Sequence, residues 1–340
     1  MKPVPGASCA VIAEVAQAHD GSLGFAHAFI DSAALCGAAA IKFQTHIAAE
    51  ESTPAEPWRV KFSKQDATRY GYWKRMEFSP EQWAGLKSHA EERGLVFLSS
   101  PFSFAAVELL RKLGIAAWKV ASGELTNLPM IAEMARDKKP VMLSTGMSPY
   151  SEIDAAVDVV KKAGAPFCIF QCTTQYPSPP DAIGLNVLDE LRARHKCAVG
   201  LSDHSGTIYP SLAAVSAHKA EVVEVHLTLS REMFGPDVAA SVTPAELKQI
   251  CDGVRFIERM RAAPADKNET GEKMASMRGI FLKSVVALSD LAKGTELSRA
   301  NIGLKKPGGG IPPDKFESLF GKTLKRAISR DQQITFEDFA

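Results

Sequence analysis

Short apolar runs rich in β-branched and aromatic residues recur along the chain, and segments of helical character lie between them. Each run ends in polar residues or glycine, a pattern typical of parallel strands that lead into crossover helices. The eight runs predicted to be strands cover residues 8–15, 39–46, 95–102, 116–123, 140–147, 167–177, 197–204 and 221–229.

The segments between these runs carry apolar residues at i, i+3 and i+4, which is the spacing of one face of a helix. Predicted helices cover residues 23–37, 80–94, 103–114, 128–138, 151–164, 185–195, 209–220 and 244–261. Eight strand–helix units within residues 8–261 match a closed (β/α)8 TIM barrel better than an open α/β sheet.

The pattern changes after Arg261. Residues 262–278 form a polar run with proline, glycine and mixed charges, and the run carries neither period, so we interpret it as an exposed linker. Residues 279–340 alternate short apolar runs with turn signals, as a small β-rich domain does. We therefore predict a TIM-barrel domain over residues 1–261, a linker over 262–278 and a small domain over 279–340.

Composition excludes several classes of protein. The 340 residues are 46% hydrophobic, and 40 Lys and Arg against 39 Asp and Glu leave a formal charge of +1, which excludes disorder and gives no basic excess for nucleic acid. The sequence has neither a secretory signal nor an apolar stretch long enough to cross a membrane, so we expect a cytoplasmic protein. The six cysteines include no CxxC pair, and we interpret them as reduced and mostly buried.

Candidate chemistry gathers at the carboxyl ends of the predicted strands, where TIM barrels hold their active sites. Side chains alternate faces along a strand, so Ser202 shares a face with His204, and Glu224 with His226. Lysines and hydroxyls that converge beside two histidines indicate an anion pocket next to a metal. The polar residues at the strand ends are Glu14, Lys42, Gln44, Ser99, Ser100, Lys119, Ser122, Glu124, Ser144, Thr145, residues 171–176, Ser202, Asp203, His204, Glu224 and His226.

The two histidines end neighbouring strands. Imidazoles in these positions, His204 and His226, can reach one ion and leave its other positions to solvent and substrate, which fits Mn²⁺, Fe²⁺, Co²⁺ or Zn²⁺. The alternative is that each is a buried histidine that is hydrogen-bonded to a neighbour. Their shared placement at strand ends favours the metal. His19 and His46 lie near the same edge and are candidates for the pocket mouth.

Two lysines allow two kinds of chemistry. Lys42 and Lys119 are candidates for Schiff-base nucleophiles or for fixed cations that neutralise a phosphate and a carboxylate, and spacing does not choose between these roles. Glu14 and Glu124 are candidates for acid–base groups or for simple ion pairs with the lysines. Cys172 lies within an apolar run, where a packed thiol is the better interpretation.

Nine motifs in order along the chain resemble those of the sialic acid (N-acetylneuraminate) synthase family, and the resemblance covers nearly the whole sequence. The motifs are IAEVAQAHDGS, IKFQTH, SSPFS, KVASGE, STGMS, QCTTQYP, GLSDHSG, EVHLTLSREMFGPD and KKPGGGIPP. The resemblance implies a TIM barrel followed by a C-terminal antifreeze-like (β-clip, SAF) domain. It also implies a transferase that condenses phosphoenolpyruvate with an open-chain N-acetylated hexose, N-acetylmannosamine or a modified relative, to give a nine-carbon 2-keto sugar acid and phosphate.

The resemblance also implies roles for individual residues. His204 and His226 would hold a divalent metal, Mn²⁺ or Mg²⁺, which polarises the sugar aldehyde. Glu14 and Glu124 match the two active-site glutamates. The positions that match the phosphoenolpyruvate site are Lys42, Lys119, Ser122, Ser144 and Ser202, and those that match the sugar site are Gln44, Ser100, Thr174, Tyr176, Asp237 and Lys306. In the implied reaction C3 of the enol attacks the aldehyde, and water captures the cation at C2 before phosphate leaves.

The sequence departs from the family pattern at the sugar end. Ala18 and Thr174 stand where the family has asparagine, and Lys306 stands where it has an arginine, so the acceptor is expected to be N-acetylmannosamine or a differently substituted sugar. The resemblance further implies a domain-swapped homodimer, in which the small domain caps the active site of the partner subunit. The linker of 17 residues is long enough to allow this arrangement, because an extended chain spans roughly 3.3 Å per residue. Two alternatives stay open, a Schiff-base barrel aldolase that needs no metal and a non-catalytic sugar-binding member of the family.

Overall fold

The computed structural model describes residues 8–339 and divides into two compact units, Met1–Ala262 and Ala263–Ala340. The first unit contains the eight predicted strands. They are β1 (Ala10–Ala16), β2 (Ala40–Thr45), β3 (Val96–Pro101), β4 (Trp118–Val120), β5 (Val141–Ser144), β6 (Phe167–Cys172), β7 (Ala198–Asp203) and β8 (Val222–His226). Each lies inside its predicted run except β1, which ends one residue beyond it, and β4, β5, β6 and β8 end three to five residues before their runs do.

Helices follow the strands in the alternation that the sequence predicts. Serine caps fix several helix starts, and the side chain of Ser79 forms a capping box with Gln82. Two short helices in the segment after β2 are not among those predicted. In chain order the helices are α1 (Leu23–Leu35), α2 (Ala48–Glu51), α3 (Arg69–Met76), α4 (Pro80–Glu92), α5 (Phe104–Leu113), α6 (Leu128–Ala135), α7 (Tyr150–Ala163), α8 (Asn186–His195), α9 (Tyr209–His218) and α10 (Pro244–Ala262).

All eight strands are parallel and form one sheet in the order β3-β2-β1-β8-β7-β6-β5-β4. The two end strands, β3 and β4, approach each other with Cα atoms within 8 Å, so the sheet curls into a nearly closed barrel. The predicted TIM-barrel fold is confirmed.

The barrel interior is apolar in its lower half and polar towards the carboxyl ends of the strands. Because side chains two apart share a face, Glu14 follows the interior Ile12 along β1, and Lys42 follows Ala40 along β2. The apolar layer forms the floor beneath the polar residues. Its fully or almost fully buried members are Ile12, Ala40, Leu98, Ala117, Met142, Cys168, Phe170, Ala198 and Val222.

The second unit contains a two-stranded antiparallel sheet, β9 (Ser284–Ala287) and β10 (Ile302–Lys305). It has a core of its own, which includes Val285, Leu297 and Ile334. This agrees with the predicted small β-rich domain at the C-terminal end of the chain.

The segment interpreted as an exposed linker, residues 262–278, is largely exposed but contains helical structure that the sequence pattern did not predict. Helices α11 (Lys267–Lys273) and α12 (Ala275–Phe281) occupy most of it. The Asp266 side chain caps α11 by accepting hydrogen bonds from the backbone N–H groups of Asn268 and Glu269. Such caps are worth about 1 kcal/mol and favour a helix even where the apolar period is weak.

Within residues 8–339, no helix has the length and apolar character needed to cross a membrane. All six cysteines are buried free thiols, as expected from their spacing.

Gly21 allows a stability test of the connection after β1. Its φ of 76° lies in the left-handed region, and an added Cβ would clash with the backbone carbonyl of Arg75. We expect Gly21→Ala to lower the free energy of unfolding by about 1–3 kcal/mol, measured by denaturant unfolding of the full chain. Gly85→Ala is the matched control, because Gly85 is helical with no atom within 4 Å of the added Cβ. The control should raise the free energy of unfolding by up to about 1 kcal/mol. Equal effects of the two substitutions would contradict the strain assigned to Gly21.

Candidate active site

A pocket of about 350 Å³ opens at the carboxyl ends of the barrel strands. All of its lining residues belong to the first unit. Thirteen of the fifteen site residues predicted from the sequence contribute to this lining: Glu14, Lys42, Gln44, Lys119, Ser122, Glu124, Ser144, Thr174, Tyr176, Ser202, His204, His226 and Asp237.

The two remaining predicted residues lie elsewhere. Ser100 in β3 is completely buried outside the pocket lining, and its hydroxyl has no hydrogen-bond partner among the described residues. Lys306 belongs to the second unit, where its ammonium lies 5.2 Å from the centre of the Phe281 ring.

Four charged side chains meet at the base of the pocket. The Lys42 ammonium lies 2.8 Å from a carboxylate oxygen of Glu14 and 3.4 Å from one of Glu224, and the Lys119 ammonium lies 2.9 Å from the same Glu224 oxygen. None of the four side chains is more than 4% exposed. Two cations and two anions therefore balance each other in an environment where an unpaired charge would be very costly.

These carboxylates differ in their affinity for a proton. Burial raises the pKa of Glu14, and Lys42 only partly opposes this effect. Burial acts on Glu224 in the same direction, but Lys119 and Lys42 outweigh it and lower the pKa of Glu224. Glu224 is therefore the fixed anion of the cluster, and Glu14 is the carboxyl group better able to hold a proton.

The two lysines also differ. Burial lowers the pKa of Lys119, which shares its nearest carboxylate with Lys42. For Lys42 the pair of carboxylates, Glu14 and Glu224, outweighs burial and raises the pKa. Lys42 is thus held as a cation by its surroundings.

Hydroxyl groups complete the base of the pocket. Ser202 donates to the Glu224 carboxylate at 3.1 Å, and the Ser122 oxygen accepts a hydrogen bond from the backbone N–H of Gly146 at 3.1 Å. The Ser144 hydroxyl has no hydrogen-bond partner among the described residues. Hydroxyls beside two ammonium groups provide the donors that a phosphate or carboxylate needs.

His204 and His226 lie together above this base, with ring centres 5.1 Å apart and planes at 69°. The Nδ1 of His204 is 2.8 Å from the carbonyl oxygen of Thr173, so it carries the proton and leaves a lone pair on Nε2. That Nε2 is 3.3 Å from the hydroxyl of Tyr176.

The two histidines are in the protonation state that a metal requires. Burial lowers the pKa of each imidazole to about 3, so both rings are neutral near pH 7. Within residues 8–339, no group of three or more His, Cys, Asp or Glu side chains is arranged to hold a metal. Two neutral imidazoles whose ring centres are 5.1 Å apart are a candidate ligand pair for an ion that takes its other ligands from substrate and water.

A chain of hydrogen bonds links the upper part of the pocket to Glu14. The Nδ1 of His46 lies 2.7 Å from the Glu51 carboxylate, and its Nε2 lies 3.2 Å from the amide nitrogen of Gln17. Gln17 also donates to the amide oxygen of Gln44, whose nitrogen donates to Glu14 at 2.9 Å. With its proton on Nδ1, His46 accepts from Gln17 through Nε2. The Gln44 amide accepts from Gln17 and donates to Glu14, and these two bonds hold it in one orientation.

Aromatic side chains form one upper wall of the pocket, which sequence reasoning missed. The His46 ring stacks between Trp73 and Phe102, with ring centres 4.1 and 4.5 Å away, and Trp58 and Phe62 line the same pocket. The available signal was compositional, because two of the four tryptophans of the chain lie within residues 58–73.

Glu224 is a second residue whose role sequence reasoning missed. Its position two residues before His226 places both side chains on the inward face of β8, and both line the pocket. The shared face was predicted, but nothing in the pattern shows that one carboxylate contacts two lysines.

Cys172 keeps its structural interpretation, whereas His19, predicted as a candidate for the pocket mouth, does not line the pocket. The Cys172 thiol lines the pocket, and burial raises its pKa, so it is not a ready nucleophile. His19 is buried outside the lining and accepts a hydrogen bond from the backbone N–H of Gly21.

These features define a TIM-barrel protein with a buried, charged pocket at the carboxyl ends of its strands, joined to a small β-rich domain. Residues 29–265 match the NeuB family, and residues 283–340 match the SAF domain. The chain belongs to the NeuB family, so the resemblance seen in its motifs is confirmed.

The chain is similar to proteins with established names over nearly its full length. It is 36% identical to N,N'-diacetyllegionaminic acid synthase of Campylobacter jejuni, covering 95% of this chain and 98% of the relative. It is 33% identical to human N-acetylneuraminate-9-phosphate synthase, covering 97% and 92%. A crystal structure of N-acetylneuraminic acid (sialic acid) synthetase from Leptospira borgpetersenii aligns with a TM-score of 0.69 at 28% identity, covering 80% of this chain and 92% of that one.

Removal of Glu224 tests the charge balance at the base. We expect Glu224→Ala to lower the free energy of unfolding by about 3–5 kcal/mol, because Lys119 and Lys42 would keep buried charges with too few partners. Asp252→Ala is the control, because Asp252 pairs with Lys248 on the surface of α10 and is 64% exposed. The control substitution should lower the free energy of unfolding by less than about 1 kcal/mol, measured by denaturant unfolding. Similar losses in the two variants would contradict the role given to the cluster.

Proposed function

We propose that this protein condenses phosphoenolpyruvate with an open-chain N-acetylated hexose, giving a nine-carbon 2-keto sugar acid and phosphate. The main support is the placement of two buried, paired lysines and two neutral histidines in one pocket. The family membership and the acid synthases among its relatives support the same reaction class.

The base of the pocket is the proposed phosphoenolpyruvate site. The ammonium groups of Lys42 and Lys119 would neutralise the phosphate and carboxylate of this substrate. Ser122, Ser144 and Ser202 would donate hydrogen bonds to the same oxygens. Because Glu14 and Glu224 already hold the lysines in place, the cations need little rearrangement when the anion arrives, and preorganised charge of this kind is the main source of catalysis in such sites.

The reaction itself is proposed to proceed by carbon–carbon bond formation and then hydration. A bond forms between C3 of phosphoenolpyruvate and the aldehyde carbon, and the aldehyde oxygen takes a proton. Water adds at C2 and releases one proton, which balances the proton taken by the aldehyde oxygen. The C2–O bond to phosphate then breaks, and the proton of the C2 hydroxyl leaves with the phosphate to give the keto group. Glu14, whose pKa is raised by burial, is suited to take a proton from that water, and Glu124 would act at the sugar.

His204 and His226 are the proposed ligands of a divalent cation, Mn²⁺ or Mg²⁺. When bound, such an ion supplies Lewis-acid polarisation of the aldehyde. The chain contributes two neutral imidazoles, and the hydrogen bond from His204 to Thr173 fixes which nitrogen faces the ion.

The upper part of the pocket is the proposed acceptor site. Gln44, Thr174, Tyr176 and Asp237 line it and offer hydrogen-bonding groups to a sugar. We also propose that the protein is a domain-swapped homodimer in which Lys306 of one subunit reaches the acceptor bound to the other. Ser100 is less suited to contact the sugar, because it is buried outside the lining.

Chelation tests the metal assignment. We expect EDTA to abolish phosphate release from phosphoenolpyruvate in the presence of the acceptor, and Mn²⁺ to restore it. His204→Ala and His226→Ala should each prevent the rescue and reduce the manganese retained by the purified protein. His218→Ala is the control, because His218 pairs with Asp189 on the helix surface outside the pocket. Full activity in either pocket variant would remove the metal assignment.

Lys306 tests the division of the site between its two substrates. We expect Lys306→Ala to raise KM for the acceptor several-fold more than KM for phosphoenolpyruvate, because its charge belongs to the sugar end. Lys305→Ala is the neighbouring control, because Lys305 pairs with Asp331 within its own domain. Equal changes in both KM values would contradict the division of the site.

The oligomeric state tests the swapped dimer. A monomer in solution at micromolar concentration would contradict it.

The two alternatives give distinct results in the same assays. A Schiff-base aldolase would be trapped by borohydride in the presence of a keto acid through Lys42 or Lys119, and chelation would not inhibit it. A non-catalytic sugar-binding protein would release no phosphate with any N-acetylated hexose. We expect neither result.

A further inference from the structure

The acceptor end of the pocket carries a pair of oppositely charged residues from two separate loops. Arg59 lies between α2 and α3, and Asp237 lies after β8. The Arg59 guanidinium donates to the Asp237 carboxylate at 2.7 Å, and both residues line the pocket. The pair therefore joins the two loops across one side of the pocket.

Arg59 is also held by an aromatic ring. Its guanidinium lies 4.4 Å above the centre of the Tyr176 ring, and Tyr176 in turn stacks on His204 at 4.2 Å with planes 22° apart. Arginine, tyrosine and histidine thus form a column that runs from the outer part of the pocket to the histidine pair. A guanidinium fixed in this way is a positioned donor rather than a freely moving surface charge.

Negative charges outnumber positive charges among the residues that line the pocket. The lining includes four lysines and arginines but six carboxylates. Lys42 and Lys119 are balanced by Glu14 and Glu224 at the base, which leaves two arginines and four carboxylates in the rest of the lining. The carboxylates outside the base are Glu51, Glu56, Glu124 and Asp237.

Both arginines of this outer part already have a carboxylate partner. Arg59 pairs with Asp237, and Arg69 pairs with Glu56 at 3.0 Å. A phosphate on the acceptor would have to share one of these arginines with its carboxylate partner and would lie among four carboxylates in all. Even one further cation, such as Lys306, would leave this end with a net negative charge.

An uncharged sugar meets no such penalty. Its hydroxyl groups can donate to the carboxylates, and its acyl oxygen can accept from Arg59, which has several N–H donors and can hold Asp237 at the same time. Its apolar face and acyl methyl group can pack against the aromatic wall that Trp58 and Trp73 contribute to the pocket.

We propose that the Arg59–Asp237 pair sets the class of acceptor, so that the protein takes an uncharged N-acylated sugar and rejects a sugar phosphate. The proposal rests on the proposed function and names its acceptor more closely. Asp237 excludes the second anion because it neutralises Arg59, and Arg59 is the specificity-determining donor to the sugar.

The test compares N-acetylmannosamine with N-acetylmannosamine 6-phosphate, which differ only in the terminal phosphate. We expect the wild-type protein to have at least a tenfold higher kcat/KM for the unphosphorylated sugar. Asp237→Asn leaves Arg59 without its carboxylate and should shift the ratio at least tenfold towards the phosphate. The double variant Asp237→Asn with Arg59→Gln should lose that shift, because the released cation is then absent.

Controls and a second measurement separate this proposal from the proposed function. Asp252→Asn removes a carboxylate from the surface of α10 and should leave the ratio unchanged. Affinity for each sugar is measured separately by quenching of tryptophan fluorescence, because Trp58 and Trp73 line the pocket. If the unphosphorylated sugar binds at least tenfold more tightly but no phosphate is released from phosphoenolpyruvate, the proposed function fails and the acceptor proposal stands.

Three results would overturn the acceptor proposal. The first is equal or greater preference of the wild-type protein for the sugar phosphate. The second is a preference that Asp237→Asn does not change, or a shift that persists when Arg59 is also replaced. The third is the absence of binding of either sugar.

Discussion

The buried pairing of Lys42 and Lys119 with Glu14 and Glu224 constrains the rest of the barrel. Four charges in a low-dielectric interior are tolerated only where each meets a partner at close range, and the parallel registers provide this. Glu14 lies opposite Lys42 across the β1–β2 ladder. Because a slip of one residue would turn a strand's inward side chains outward, these pairs allow one register only. The arrangement that suits anion binding is therefore also the arrangement that fixes the alignment of the central strands.

The side chains that line the pocket above the apolar floor come from two parts of the structure, the barrel strands and the loops. Strand residues such as Lys119 and Ser202 build the charged base, and their positions follow from the barrel itself. Loop residues such as Trp58, Arg59 and Asp237 build the outer part. A change in the segment between β2 and α4 can therefore alter the outer part of the pocket without moving the strand residues at its base.

Strand periodicity in the sequence predicts which face a residue occupies, and this is enough for the fold and for most of the base of the pocket. It does not predict depth, so Ser100 shares the expected inward face with Leu98 yet lies fully buried outside the lining. It does not predict partners either, so the pattern gives no sign that Glu224 contacts both Lys42 and Lys119. The cap at Asp266 favours the start of α11, and it is a local hydrogen-bonding signal that an apolar period does not contain. The aromatic segment 58–73 depends on packing between loops, for which the sequence has no repeating signal.

The proposed phosphoenolpyruvate site and the proposed metal site would support each other electrostatically. Burial lowers the pKa of His226 to about 3, and the nearby ammonium of Lys42 acts in the same direction. A histidine kept neutral in this way retains the lone pair that a cation needs. The carboxylate of Glu224 would limit the repulsion between the lysines and any cation held by the histidines, because one of its oxygens contacts both lysines and the residue lies two positions before His226. Glu224 would thus allow the proposed site for an anion and the proposed site for a cation to lie in the same pocket.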